Sequence, residues 1–487
     1  MDGIARPPLP MGTNVKSQAD VCPICLDPFH GRDVAPVGVK AQCRTQCGHR
    51  FHLDCISIQF VEKSVGSRQC AVCRQDPMPV VNLNTGESYP DTSFPNQAFY
   101  YACFQGDLDQ VVRSLAEGVN VNAVTHDVNN ALIIASYRGH KAIVERLISA
   151  GANLNAASEA GATALFVAAQ ENNTDCVKLL INKGADLNAR TVNGSTPVSM
   201  ASQLGNTDCL KALIEAKANL NTKDKDGNTP LIIAADKGKT DCVKLLIGAK
   251  ADVNAGPENG LTPLFFAVKA NNTDCMEALI KAEAILDART DDGMTPLFFA
   301  VLRNSIDCVK LLISAEADLN PRNKSGETPP YVAARKNHID CLKLLISAKA
   351  DLDVRTQYGT TALHVAAKMG NTECVKLLIS AGADINIPGE DGTTPLFIAA
   401  LKGNTDCVEL LINGGAELNA QRAEDGTTPL FIAAREGNIE CLKLLIRAEA
   451  DINAALPDGT TPLSIATEMG NADCARLLIN AGARQGR

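Results

Sequence analysis

The sequence predicts a mainly α fold: a long solenoid of stacked helix pairs, preceded by a small module rich in paired cysteines and histidines. Two observations lead there. A segment of 33 residues recurs through about four-fifths of the chain, and seven of the 18 cysteines crowd between positions 22 and 73. A third observation sets the class. With 45% apolar and 21% charged residues, the 487-residue chain has the composition of a globular protein, which excludes wholesale disorder and collagen-like architecture.

Charge and aromatic content narrow the function. The formal charge of −9 argues against generic binding of a phosphate backbone, and the absence of Trp with only six Tyr argues against stacking platforms for bases. No apolar run approaches the roughly 18 residues of a membrane-spanning helix. The start, MDGIARPPLPMGTN, lacks an apolar core behind a basic stretch, so a cytoplasmic protein is expected, with the nucleus left open. In that setting cysteines serve as metal ligands, reactive thiols or small buried hydrophobes rather than disulfides. Residues 1–20 are polar and proline-bearing and read as a disordered tail.

Residues 21–76 carry Cys22-x2-Cys25, Cys47-x-His49, His52-x2-Cys55 and Cys70-x2-Cys73. Four ligand pairs imply two ions. Zinc suits them, because it takes tetrahedral sulfur and nitrogen sets and each short spacing lets one turn present two ligands. With three thiolates and one neutral imidazole, each site would carry about one negative charge. Metal binding worth roughly 10–16 kcal/mol would supply much of the folding energy of a segment this poor in core residues. Spacing alone leaves open which pairs share an ion. Cys43 is spare; it could replace Cys47, but only Cys47 keeps the Cys-x-His spacing. His30 reads as an ordinary loop histidine.

The whole string, together with the wording CPICLD at 22–27, resembles a RING finger of the two-histidine kind. The resemblance implies an interleaved arrangement, with Cys22, Cys25, His52 and Cys55 on one zinc and Cys47, His49, Cys70 and Cys73 on the other. It also implies a ubiquitin-protein ligase, a transferase without a covalent enzyme intermediate. Such a domain binds the ubiquitin-charged conjugating enzyme and lowers the barrier by orientation. Ile24, Phe60 and Ala71 fall at the conjugating-enzyme contact, and Arg74 matches the cation that bridges that enzyme and ubiquitin. Arg74 could equally be an exposed surface arginine. Ala71 stands where the family often has Pro, and Gln59 followed by Phe60 where it often has Trp. These departures imply weaker affinity and keep a second reading open: a zinc-containing repeat scaffold or adaptor without catalysis. Residues 77–95, with four prolines, read as a linker.

Residues 96–487 hold one shortened amino-terminal unit and eleven full units. Gly161 to Gly392 recur every 33 residues; one step of 34 reaches Gly426, and 33 more reach Gly459. In DGTTPLFIAA (391–400), Thr394 is placed as a helix cap and Pro395 at the first helical position, where its missing N–H costs nothing. A second helix is expected after Asn404-Thr405-Asp406, with Thr405 as its cap and Cys407, Val408, Leu410 and Leu411 facing inward. A pair this small cannot bury its own apolar face, so neighbours must stack. The units resemble ankyrin repeats, which implies partner binding on a concave surface and no catalytic chemistry there. The family's His after Thr-Pro-Leu is matched only by His364; Phe265, Phe298, Phe397 and Phe431 hold that column, so weaker inter-repeat hydrogen bonding and larger apolar contact are expected.

Three columns of the array stand out. Ten cysteines, from Cys176 to Cys474, share one position of the second helix and read as small buried hydrophobes; Cys103, outside the column, reads the same way. The glycine closing the second helix is present at 151, 184, 382, 415 and 482 but is replaced by Lys217, Lys250, Glu283, Glu316, Lys349 and Glu449, at about 1 kcal/mol each if the backbone stays left-handed. The middle of the array should therefore be its softest part. Lastly, Lys237, Lys269, Arg303, Arg335, Lys336, Lys368, Lys402 and Arg435 gather at the ends of first helices against only Asp236 and Glu436. They read either as a groove that steers an acidic protein substrate or as cations suited to a helix carboxyl end.

Overall fold

The computed structural model describes residues 42–46, 49–52, 56, 70, 74, 78–82, 88–89, 97–124 and 129–484. The chain divides between Lys225 and Asp226 into two compact units. In the first, β1 (Gln42–Arg44), β2 (Arg50–His52), β3 (Val80–Asn82) and β4 (Ser88–Tyr89) form one antiparallel sheet in the order β2-β1-β3-β4. Cys43 pairs with Phe51 across one edge of β1 and with Asn82 across the other. Thr45 N–H donates to the His49 carbonyl at 3.0 Å, closing the β1–β2 turn. Phe51, Ile56, Cys70 and Val80 are buried beside this sheet's strands in sequence, a small core for a module expected to lean on metal.

The rest of the first unit is four helix pairs, from Gln97–Gln105 with Leu108–Ala116 to Pro197–Leu204 with Thr207–Glu215. The second unit holds eight, from Pro230–Asp236 with Thr240–Gly248 to Pro462–Glu468 with Ala472–Asn480. Helices of seven to nine residues are too short to persist alone in water. Within each unit, first helices pack on first helices and second on second. Alanines at the end of the first helix, such as Ala366 and Ala367, are fully buried and let neighbours approach closely.

Each end of a helix is fixed by chemistry that the sequence displays. Thr394 caps Pro395–Lys402, its hydroxyl accepting from Phe397 N–H at 3.3 Å, and Pro395 sits at the first helical position as expected. The second helix corrects the reading of its cap. Asn404, not Thr405, holds the cap position, and its side chain makes no bond to its own helix. Its amide instead donates to the Ala367 and Lys368 carbonyls at 2.7 and 3.2 Å, closing the first helix of the preceding unit. Asn173, Asn206, Asn371, Asn438 and Asn471 repeat the device. His338 Nδ1 performs it on the Val301 carbonyl at 2.9 Å. Orphan carbonyls at a helix end thus become the inter-repeat glue. Cys407, Val408 and Leu411 are buried as expected, with Leu410 half-buried.

The two glycine columns behave differently for a steric reason. Lys217, Lys250, Glu283, Glu316, Lys349 and Glu449 all keep a left-handed backbone, with φ of 61 to 66°. The hydrogen bonding there is unaltered: Ala218 N–H reaches the Leu213 carbonyl at 3.0 Å, as Ala383 N–H reaches Leu378 beside Gly382. A Cβ at Gly382 would meet nothing within 4 Å, so a side chain costs only the backbone torsion. At the hairpin glycine Gly392, a Cβ would sit 2.6 Å from the Ala423 nitrogen of the next unit. From Gly161 to Gly392 a Cβ would crowd the next unit in this way, whereas at Gly426 it would meet only Pro457 Cδ at 3.8 Å and at Gly459 nothing.

Candidate metal module and binding groove

Two of the eight expected metal ligands have described side chains, and the fold brings them together. Cys70, 1% exposed, places Sγ 3.6 Å from Nδ1 of half-buried His49. Strand β2 carries His52 three residues from His49, while Cys70 reaches the same region from 21 residues away. A tetrahedral zinc, with bonds of about 2.3 Å to sulfur and about 2.0–2.1 Å to nitrogen, holds such a pair about 3.6 Å apart. The donor set therefore fits zinc in type and in separation. No group of three metal-ligating side chains occurs among the described residues. Cys22, Cys25, Cys47, Cys55, Cys73 and the side chain of His52 lie outside them, as do Ile24, Phe60, Ala71 and spare Cys43's side chain. Arg74 is exposed, with φ of 60°, and its N–H donates to the Cys70 carbonyl at 2.9 Å.

The eight basic residues of the array fall at the carboxyl ends of first helices in the second unit, Lys237 and Arg303 at the cap and the others in the last turn, but they are not equivalent. Asp236 binds both Lys237 and Lys269 at 2.9 Å. Arg335 pairs with Glu327, and Arg435 with Glu436. Arg303, Lys336, Lys368 and Lys402 are exposed and make no ion pair among the described residues. The four belong to consecutive repeats. Beside them opens a groove of about 580 Å3, lined by Tyr331, Tyr358, Val365, Ile398, Leu401 and the two lysines Lys368 and Lys402. Tyr358, on a hairpin tip, is 71% exposed. Sequence reasoning missed the two tyrosines; for Tyr358 an aromatic on a turn otherwise built of polar residues was the signal available, whereas Tyr331 lies within the helix Pro329–Lys336.

His364 lies under this groove, 1% exposed. Nδ1 accepts from Thr361 N–H at 3.1 Å, which leaves Nε2–H to donate to the Thr393 carbonyl of the next unit at 3.2 Å. Burial pushes its pKa down to about 4, so the ring is neutral at physiological pH. Elsewhere the column follows the apolar expectation, Phe265 packing against Phe299 with ring centres 4.8 Å apart. The column cysteines are buried, and burial raises their pKa, to about 11 at Cys308 and Cys341. Cys103 is buried too, its pKa raised to about 12. Thiols held protonated in this way are not nucleophiles.

This is the architecture of a repeat protein that binds other proteins. The chain belongs to the ankyrin-repeat family: the family model for ankyrin repeats (3 copies) matches residues 99–191, 183–256, 251–323, 313–389, 331–422 and 396–487. Among known proteins, the chain is 50% identical over 54 residues to the E3 ubiquitin-protein ligase IPI1 of Oryza sativa subsp. japonica, covering 11% of this chain and 10% of that protein. It is 43% identical over 117 residues to the E3 ubiquitin-protein ligase RFI2 of Arabidopsis thaliana, covering 20% of this chain and 30% of that one. The chain thus spans less than a third of either relative. The crystal structure of the human ASB11 ankyrin repeat domain matches with a TM-score of 0.41 and 30% identity, over 45% of this chain and 97% of that one. No helix among the described residues is long and apolar enough to cross a membrane.

Proposed function

We propose that the protein is a RING-type E3 ubiquitin-protein ligase whose ankyrin array captures the substrate protein. The observation that carries the reading is the eight-ligand string from Cys22 to Cys73, supported by the 3.6 Å approach of Cys70 to His49 and by the partial likeness to two ligases. Zinc, when bound, supplies the cross-links that hold the module folded, with Cys22, Cys25, His52 and Cys55 as one set and Cys47, His49, Cys70 and Cys73 as the other. The remaining work belongs to the chain. Ile24, Phe60 and Ala71 present the contact surface for the conjugating enzyme, and the planar donor fork of Arg74, set just beyond the last ligand, clamps enzyme and ubiquitin together. No nucleophile is required, because holding the charged carrier in a reactive pose is itself the acceleration.

The test is a transfer assay. The purified full chain is incubated with activating enzyme, a panel of conjugating enzymes, ubiquitin and ATP. Polyubiquitin is expected, diminished by Arg74→Ala and lost with Ile24→Ala at unchanged zinc content. Silence across the panel would overturn the ligase reading and leave the zinc-containing ankyrin scaffold.

A further inference from the structure

The ion-pairing pattern of the second unit defines a binding frame more specific than a basic surface. Its row of helix-end cations is neutralised at both ends, by Asp236 on Lys237 and Lys269 and by Glu436 on Arg435. Between those ends, Arg303, Lys336, Lys368 and Lys402 contribute one exposed charge, without an ion pair among the described residues, from each of four consecutive repeats. Arg335, next to Lys336, is excluded from the set by Glu327 and by stacking over the Tyr331 ring, 6.0 Å from its centre. Helices packed side by side lie about 8–10 Å apart. A peptide in the polyproline II conformation rises about 3.1 Å per residue with three residues per turn, so side chains three apart share one face and span one repeat.

We propose that this rail reads an acidic peptide in the polyproline II conformation whose carboxylates recur at every third residue, with an apolar side chain of the peptide seated against Tyr358, Ile398 and Leu401. The inference rests on the reading of the second unit as the substrate-binding surface and deepens it by naming the substrate's register. Charge complementarity selects the occupant. Lys368 and Lys402 line the helix side of the groove, while Glu390 and Asp391 line the hairpin side. Asp391 is already engaged, accepting from the Thr393 hydroxyl at 2.6 Å and its N–H at 3.1 Å. The peptide's acids therefore face the helix ends, and the like charge of Glu390 keeps them from the hairpins.

The experiment uses the full chain and fluorescein-labelled peptides of equal length, charge and composition, with Glu at every third residue, at every second residue, or scrambled. Anisotropy is expected to show the every-third peptide binding at least about tenfold tighter, with affinity falling as salt rises. Lys368→Glu with Lys402→Glu should weaken it by about tenfold or more, while Lys237→Glu with Lys269→Glu changes it less than about twofold. Lys368→Gln with Lys402→Gln, and melting temperatures of all variants, separate lost binding from lost folding. Equal affinity for all three peptides, or equal loss from the two pairs of reversals, would overturn the register. Absence of binding to any acidic peptide while ubiquitin chains still form would overturn this inference and spare the ligase reading. Register-dependent binding without ubiquitin transfer would support the rail and reject the ligase.

Discussion

Cys308 Sγ donates to Asn271 Oδ1 of the preceding repeat at 3.2 Å. Asn271 is the left-handed residue closing that repeat's first helix, with φ of 52°. The same pairing joins Cys341 to Asn304, Cys374 to Asn337 and Cys209 to Asn172. Beside Gly238, Gly370 and Gly403 a threonine hydroxyl meets the thiol of the next repeat, as Thr240 meets Cys275 at 3.3 Å, and Cys209 has both kinds of contact, with Thr174 at 3.4 Å. The column is a ladder of polar contacts as well as apolar filler. Cys308→Ala should cost about 1–2 kcal/mol in urea unfolding, through lost packing and an Oδ1 left without its donor. The thiol, held up at about 11, should resist aromatic disulfide reagents at pH 8 until the chain unfolds.

The six left-handed Lys and Glu residues predict stabilising substitutions. Lys250→Gly or Glu316→Gly relieves a torsional cost at constant hydrogen bonding, partly offset by a more flexible unfolded chain, for a net gain of about 0.5–1 kcal/mol each. By the same geometry Gly382→Ala should cost about 1 kcal/mol, whereas Gly392→Ala, which also meets backbone, should cost roughly 3 kcal/mol or more. Hydrogen exchange should show second helices near 217–349 opening more readily than those near 382–415. Equal protection would contradict the cost assigned to the missing glycines.

Acid should find His364. Its folded pKa, about 4, lies below the ordinary value of 6.5 because of burial first, so its neutral form is favoured. That contribution is fully present above pH 6.5 and is lost as pH falls toward about 4, on the order of 3 kcal/mol in all. His364→Phe, the residue common at that column, should flatten this limb of the stability curve.

Asp287 and Asp353 predict the opposite sign. They stand where most repeats place Asn, and each accepts the next unit's backbone N–H, from Asp318 and Asp384. Desolvation first, and then those neighbouring carboxylates, raise both pKa values. An acid with a raised folded pKa binds its proton more tightly when folded. Stability therefore falls as pH rises through the window above 3.8, and the penalty persists at neutrality. Asp353→Asn should recover about 0.5 kcal/mol at pH 7, the site being largely solvent-screened, and nothing at pH 3.

The repeats were legible because each local signal agreed with the next: Thr-Pro at the helix start, the helix-closing residue, the 33-residue step. What escaped were side chains that act across a boundary. Asn404 looked like a spacer before Thr405, since a sequence displays a residue's own helix and not the carbonyls stacked beneath it. The eight cations looked uniform because ion pairing such as Lys269 with Asp236, 33 residues apart, exists only once repeats stack. Of the proposed metal module, the spacing offers candidate ligands, and among the described residues only the approach of Cys70 to His49 adds geometry to it.

The measurement that tests the account most directly is elemental analysis of the freshly purified full chain. Two equivalents of zinc are predicted, with Cys70→Ser and His49→Ala each losing one and chelation unfolding the amino-terminal module while helical circular dichroism from the repeats persists. Fewer than two equivalents in the unaltered protein would contradict the module, and with it the ligase.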